Sequence, residues 1–131
     1  MRLLLDTHVL LWSVLEPGKL SAPAAAELGN TSNELWASPI STWEIALLAE
    51  RGRIAVESDT PEDWLRRVLA RVPLREAPLN HEVALRSRTV DVPHQDPADR
   101  FIAATALVYN LVLLTADDRL LASRQVRTMR A

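Results

Sequence analysis

Short apolar runs alternate along the chain with longer stretches in which apolar residues recur at helical spacing. Residues Arg2–Leu5 and 111–115 have the length and composition of strands buried on both faces, and Glu34–Ala37 is a weaker strand candidate. The helical spacing predicts helices over residues 8–15, 22–29, 39–50, 61–71, 80–88 and 97–109. This alternation predicts an α/β fold with three α/β/α layers and a mostly parallel central sheet.

Three predicted helices begin with a capping residue followed by proline. These starts are Ser38-Pro39, Thr60-Pro61 and Asp96-Pro97, and proline is favoured at the first helical position because its missing N–H would be unpaired there anyway. Gly52 follows the helix predicted over residues 39–50 and is expected to end it. We therefore assign Asp96 a structural role as a helix cap.

The composition is that of a folded globular protein. The 131 residues are 48% hydrophobic and 24% charged, with neither repeats nor low-complexity tracts, so we expect one domain over residues 1–131. The chain has no cysteine, so a bound metal must use oxygen or imidazole ligands. The first apolar run is too short for a signal peptide or a membrane span, so we expect a cytoplasmic protein without a membrane partner.

Charge alone does not indicate a nucleic-acid partner, because the net charge is −2. Lys19 is the only lysine among the 15 Lys and Arg residues, and several arginines are clustered. Arginine matches phosphate geometry well, so the clusters are either phosphate-binding patches or ordinary solvated surface.

Acidic residues follow two of the predicted strands. Asp6 ends the first strand and Asp117 follows the strand at 111–115. Ligands of parallel sheets bind beyond the carboxyl ends of the strands, although a lone acid there is often only a turn residue or a helix cap.

Two more acids are predicted on apolar helix faces. Glu44 shares its arc of the helix over 39–50 with Ile40, Trp43, Leu47 and Leu48. A carboxylate in such a position is costly to desolvate unless it pairs with an arginine or binds a cation. Asp99 lies on one face with Ile102, Ala103 and Ala106, in a first turn where the helix dipole also stabilises an acid.

Carboxylates that converge repel one another unless they share protons or hold hard cations. If Asp6, Glu44, Asp99 and Asp117 meet, Mg²⁺ or Mn²⁺ is the simplest explanation, because the ligands are oxygens and no histidine pair has metal-ligand spacing. Such a centre suits the hydrolysis of phosphodiester bonds.

Four segments carry a family resemblance that spans nearly the whole chain. They are residues 6–12 (DTHVLLW), 41–46 (STWEIA), 94–104 (HQDPADRFIAA) and 114–117 (LTAD). In this order and at these intervals they closely resemble PIN-domain proteins, specifically the VapC-type toxins of bacterial toxin–antitoxin pairs.

The resemblance implies a role for each acid. Asp6 would be a direct metal ligand, Glu44 and Asp99 would complete the first and second coordination shells, and Asp117 would hold a second ion or an ordered water. Thr7 would orient Asp6 or contact the substrate through its hydroxyl. Many relatives carry an aspartate and then a phenylalanine a few residues after the threonine, whereas this chain has the stretch DDRLL over residues 117–121. Asp118 is therefore the alternative fourth acid.

The resemblance also implies an activity and partners. Such proteins cut RNA endonucleolytically with Mg²⁺ or Mn²⁺, form homodimers, and are inhibited by a cognate antitoxin, in some cases within a larger toxin–antitoxin assembly.

The histidines and tryptophans receive no catalytic role. His8, His81 and His94 are expected to be surface or hydrogen-bonding residues. Tryptophans can stack on unpaired bases, but the helical spacing of Trp12 and Trp43 with leucine and isoleucine predicts core or dimer-interface positions.

Two other functions compete with a nuclease. An aspartate-nucleophile phosphatase or a receiver domain would need a second early acid and a well-placed lysine, whereas position 8 is histidine and Lys19 is the only lysine. A non-catalytic PIN-like binding module is the second alternative, although it has no need for four mutually repelling acids.

Overall fold

Five short strands pair in one all-parallel sheet in the computed structural model, which describes residues 1–55, 60–93 and 95–131. The strands are β1 (Arg2–Leu5), β2 (Glu34–Ala37), β3 (Leu74–Glu76), β4 (Val112–Thr115) and β5 (Thr128–Arg130). Their order across the sheet is β3-β2-β1-β4-β5, so the first strand of the chain is central. His94, which belongs to one of the four family-like segments, lies outside the described residues.

Helices connect the strands and cover the sheet. Within the described ranges they are α1 (Thr7–Leu15), α2 (Ala22–Gly29), α3 (Pro39–Glu50), α4 (Pro61–Arg71), α5 (His81–Ser87), α6 (Pro97–Val108) and α7 (Asp118–Leu121), with a 3₁₀ turn at Pro17–Lys19. None of the helices in these ranges has the length and apolar composition needed to cross a membrane.

Side chains of the central strand alternate between two apolar cores. Leu3 and Leu5 pack on the face covered by α1 to α4, whereas Leu4 packs on the face covered by α6 and α7. All three side chains are fully buried, which explains why β1 is apolar from Leu3 to Leu5 instead of alternating with polar residues. The predicted three-layer α/β/α fold is confirmed, and the sheet is parallel in every pairing.

The predicted helix boundaries are also confirmed within a residue or two. The side chains of Ser38, Thr60 and Asp96 each accept a backbone N–H of the first helical turn, and proline follows each of them. Gly52 has a φ of 67° directly after α3, a left-handed conformation that glycine adopts without steric cost.

The sequence analysis missed β3, β5 and α7. The two strands have three residues each and lie at the edges of the sheet. Their sequences, Leu-Arg-Glu and Thr-Met-Arg, show no continuous apolar run because edge strands are only partly buried. α7 has four residues, which is too short for a periodic pattern.

A buried arginine ties α6 to the segment that precedes it. Arg100 is only 9% exposed, and its guanidinium donates to the carbonyl oxygens of Ser87, Val90 and Val92 at 2.8, 3.1 and 3.1 Å. These carbonyls lie at the end of α5 and in the loop that follows it, outside any helix or strand ladder. The Val90 carbonyl also accepts the Val92 N–H at 3.0 Å. Arg100 therefore holds the first turn of α6, which carries Asp96 and Asp99, at a set distance from α5.

Replacing Arg100 with methionine should destabilise the fold by about 2–4 kcal/mol, because it leaves buried carbonyl groups without donors. Urea unfolding followed by circular dichroism measures the change. Arg88→Met is the matched control, since Arg88 is an exposed arginine beside the same loop and should change stability by less than about 0.5 kcal/mol. Equal effects of the two substitutions would contradict the anchoring role.

Candidate active site

A cavity of about 410 Å³ opens beyond the carboxyl ends of β1 and β4. All four acids predicted from the sequence line it, together with the predicted cap Asp96. We call it the acidic cavity; its lining residues are Asp6, Thr7, His8, Trp12, Glu44, Asp96, Asp99, Ala116, Asp117 and Arg119.

The pairing of β1 with β4 positions Asp6. Its backbone N–H donates to the Leu114 carbonyl at 3.0 Å, which continues the ladder one residue beyond β1 and places Thr115 alongside. The Thr115 hydroxyl then donates to Asp6 Oδ2 at 2.6 Å, and the Thr7 N–H donates to Asp6 Oδ1 at 2.8 Å. Asp6 is only 6% exposed, so its carboxylate is held in one orientation by two neighbouring donors.

Glu44 reaches the same cavity from α3. The Thr7 hydroxyl donates to Glu44 Oε1 at 2.6 Å and is also hydrogen-bonded to the Ser41 hydroxyl at 2.9 Å. Thr7 is 2% exposed and its N–H already binds Asp6, so this residue couples the first and second acids. The alternative in which Glu44 pairs with an arginine away from Asp6 finds no support in these contacts.

The face of α3 that carries Glu44 is less buried than its sequence predicts. Trp43 is 58% exposed, so of its two predicted positions, core and dimer interface, the core position is wrong. The buried residues of α3 are instead Ser41 and Ile45. Trp43 lines an open groove between α3 and α4. The sequence therefore identified Glu44 through an apolar arc that is only half-buried.

The third acid comes from the N-terminus of α6. Asp99 is half-buried in the first turn, while Ile102, Ala103 and Ala106 behind it are buried as predicted. Asp96 accepts the Ala98 N–H at 2.9 Å, which confirms its role as the helix cap.

The fourth acid is placed by the turn after β4. The Asp117 N–H donates to the Thr115 hydroxyl at 3.0 Å, and Asp117 Oδ1 accepts the Arg119 N–H at 2.8 Å. Asp118 is turned outward, with a side chain that is 84% exposed and paired with Arg130 at 2.8 Å. Of the two candidates, Asp117 lines the acidic cavity.

The acids influence one another electrostatically. Burial raises the pKa of Asp99 to about 7, and repulsion from Asp6, Asp96, Glu44 and Asp117 adds to the effect. Burial likewise raises the pKa of Asp6, although the hydrogen bonds from Thr115 and Thr7 oppose the shift. The pKa of Glu44 is raised by burial against the opposing hydrogen bond from Thr7.

Comparison with known proteins agrees with this geometry. The sequence model of the PIN domain matches residues 3–124. The chain belongs to the PIN-domain family. It is 37% identical over 127 residues to Ribonuclease VapC22 of Mycobacterium tuberculosis, an alignment that covers 95% of this chain and 93% of that protein.

Solved structures share the PIN fold of this chain at low identity. VapBC2 from Rickettsia felis, bound to a DNA fragment from its promoter, superposes with a TM-score of 0.76 at 14% identity and covers 100% of this chain and 99% of its own. DNA-bound VapBC from Salmonella typhimurium gives a TM-score of 0.71 at 21% identity, with coverage of 99% and 98%.

The donor atoms of this PIN-domain site fit a hard divalent cation, because carboxylate oxygens are the ligands that Mg²⁺ and Mn²⁺ prefer. However, across residues 1–55, 60–93 and 95–131, no three His, Cys, Asp or Glu side chains are arranged to enclose a metal ion. The acids thus share one cavity without forming a closed cage, and they would have to draw together around an ion.

Three residues of the PIN-domain site have no predicted role in the sequence analysis. Thr115 is fully buried and binds Asp6, Ser41 contacts Thr7, and Arg119 lines the cavity with its Nε 3.5 Å from Asp117 Oδ1. Thr115 could have been identified from the sequence, because it places a hydroxyl at the end of an apolar strand. Nothing in the local pattern identifies Ser41, because its partner lies 34 positions away.

The raised pKa of Asp99 predicts that the metal-free protein loses stability as pH rises. The folded protein binds more protons than the unfolded chain between about pH 4 and pH 7, so stability is full below that window and reduced above it. Asp99→Asn should raise the free energy of unfolding at pH 8 by on the order of 1–2 kcal/mol, a value limited by solvent screening of a half-buried carboxylate.

Urea unfolding with a chelator present, at pH 5.5 and pH 8, measures this effect. Asp63→Asn, which changes an exposed acid of α4, is the control and should leave the pH dependence intact. An unchanged slope in Asp99→Asn would show that Asp99 is not the group responsible.

Proposed function

We propose that this PIN-domain protein is a metal-dependent endoribonuclease and the toxin of a toxin–antitoxin pair. The observation that carries the proposal is the convergence of Asp6, Glu44, Asp99 and Asp117 on one cavity at the carboxyl edge of the sheet. The 37% identity to Ribonuclease VapC22 over nearly the whole chain supports the same activity.

The four acids are proposed to hold Mg²⁺ or Mn²⁺. When bound, the ion would polarise a phosphoryl oxygen, lower the pKa of an attacking water and stabilise the leaving oxygen. Asp6 is the firmest ligand, since two donors fix its carboxylate while each oxygen keeps a lone pair for an ion. Asp99 and Asp117 line the same cavity and would close on the ion.

Neighbouring hydroxyls position these ligands. Thr115 binds both Asp6 and the Asp117 N–H, so it couples the ends of β1 and β4. Thr7 orients Glu44 through its hydroxyl and Asp6 through its N–H. Because Thr7 is buried and its hydroxyl is committed to Glu44, we assign it to positioning and not to substrate contact.

The proposed partners are RNA as substrate, a cognate antitoxin, and a second copy of the chain in a homodimer or a larger toxin–antitoxin assembly. The fold match to proteins solved as VapBC complexes supports the antitoxin. The exposed Trp43 is consistent with a protein interface, since a large apolar side chain gains free energy when it is covered.

An aspartate-nucleophile phosphatase fits the geometry less well. Both carboxylate oxygens of Asp6 accept hydrogen bonds, and these donors lower its nucleophilicity. Lys19, the only lysine, is not among the residues that line the acidic cavity. A non-catalytic binding module is the remaining alternative, and the cleavage experiment below separates it from an enzyme.

Wild-type protein should cleave single-stranded or structured RNA only with Mg²⁺ or Mn²⁺, and Asp6→Asn should reduce the rate by roughly 100-fold or more. The loss follows from removal of one charge from the metal ligands. Gel electrophoresis of labelled RNA measures cleavage, and circular dichroism confirms that the variant is folded. Equal cleavage by Asp6→Asn would contradict the site, and absence of cleavage with either ion would favour the binding module.

Asp117→Asn should lower the cleavage rate by about 10–100-fold, whereas Asp118→Asn should leave it nearly unchanged. Asparagine also caps helices, so Asp117→Asn should preserve the start of α7 while removing the carboxylate charge from the cavity. Initial rates at saturating Mg²⁺ compare the two variants. The opposite ranking would assign the fourth acid to Asp118.

A further inference from the structure

A second cleft of about 210 Å³ continues from the acidic cavity along α1. His8 and Trp12 line both, so the two openings share a wall. We call the second opening the basic cleft; it is lined by His8, Leu11, Trp12, Leu15, Glu16, Lys19, Leu48, Arg53 and Ile54.

The two openings differ in charge. Among the described residues, five acids line the acidic cavity, against a single Lys or Arg side chain, that of Arg119. The basic cleft instead has Lys19 and Arg53, opposed by Glu16, which pairs with Lys19 at 3.3 Å. A polyanion whose reacting phosphate enters the acidic cavity is repelled there, so its neighbouring phosphates need cations outside it.

The shared wall carries an aromatic ring. Trp12 is half-buried. Lys19 Nζ lies over its ring, 6.0 Å from the centroid, and the His8 ring centroid is 6.1 Å away. Trp12 follows His8 by one turn of α1, about 6 Å along the helix axis. An aromatic face beside cations is the arrangement with which proteins hold unpaired nucleotides, by stacking the base and pairing the phosphate.

We propose that the basic cleft is a subsite for a nucleotide next to the scissile phosphate of single-stranded RNA. Trp12 stacks on the base, and Lys19 and Arg53 bind the phosphate. The subsite rests on the proposed nuclease function, because the nucleotide it binds belongs to the same RNA strand that the acidic cavity would cut. Its cations lie outside the metal site, so they contribute to RNA binding and not to the chemical step.

The test uses the full chain carrying Asp6→Asn, so that RNA is bound but not cut. The probe is a short, unstructured, fluorescein-labelled oligoribonucleotide, and anisotropy titrations at several salt concentrations give the affinity. Lys19→Gln with Arg53→Gln should weaken binding about tenfold and reduce the slope of log K against log salt by about 0.7 for each cation removed.

Trp12 is tested separately because stacking carries little charge. Trp12→Leu should weaken binding about tenfold without changing the salt slope, and Trp12→Phe should restore most of the loss. In the cleavage-competent chain, Lys19→Gln with Arg53→Gln should raise KM while kcat stays within about twofold.

The matched control is Arg66→Gln with Arg86→Gln. Each of these exposed arginines pairs with an acid on its own helix, as Lys19 pairs with Glu16. The subsite is overturned if the cleft variants bind and cleave RNA like this control while wild-type protein is active. If wild-type protein cuts no RNA with either ion but the cleft variants still lose binding, the nuclease function fails, the assignment next to a scissile phosphate fails with it, and the basic cleft remains an RNA-binding site.

Discussion

The pairing of β1 with β4 is the constraint on which the site depends. Paired residues of these strands are 109 positions apart in the sequence, yet the ladder from Leu3↔Val112 to Leu5↔Leu114 runs directly into the bond between Asp6 and Leu114. One more step places Thr115 against the Asp6 carboxylate. Any shift of this register by one residue would turn Asp6 toward a core and separate it from Asp117.

The cost of the site is electrostatic, and the rest of the fold compensates for it. Burial and mutual repulsion raise the pKa values of Asp6, Glu44 and Asp99, so the ionised cluster destabilises the metal-free protein. The two apolar cores on either side of the sheet supply the opposing free energy. Arg100 adds a local restraint, because it holds the start of α6 against the loop that precedes it.

The charges are separated along α1. The acidic cavity lies at its N-terminus, which Asp6 caps, whereas Lys19 lies just beyond its C-terminus with Trp12 between them. A protein with a net charge of −2 can therefore present a local surface for a polyanion. Under the proposed function, this arrangement would let a chain with a net negative charge bind RNA without a large basic face.

Much of the fold could be predicted from local patterns. Apolar runs identified β1, β2 and β4, and cap-and-proline signals identified the starts of α3, α4 and α6, because these features depend on neighbours a few residues apart. The same patterns selected four of the five acids that line the acidic cavity and identified the fifth, Asp96, as a helix cap. They failed at β3 and β5, where three-residue edge strands are defined by the strand beside them.

Only the tertiary structure decided how the acids meet. The exposure of Trp43, the bridge from Thr7 to Glu44 and the hydrogen bond from Thr115 to Asp6 depend on packing between distant segments. The sequence alone determined which carboxylates were unusual, since an acid at a strand end or on an apolar helix face conflicts with local pattern. Their distances, donors and raised pKa values follow from sheet register and burial, which no local pattern contains.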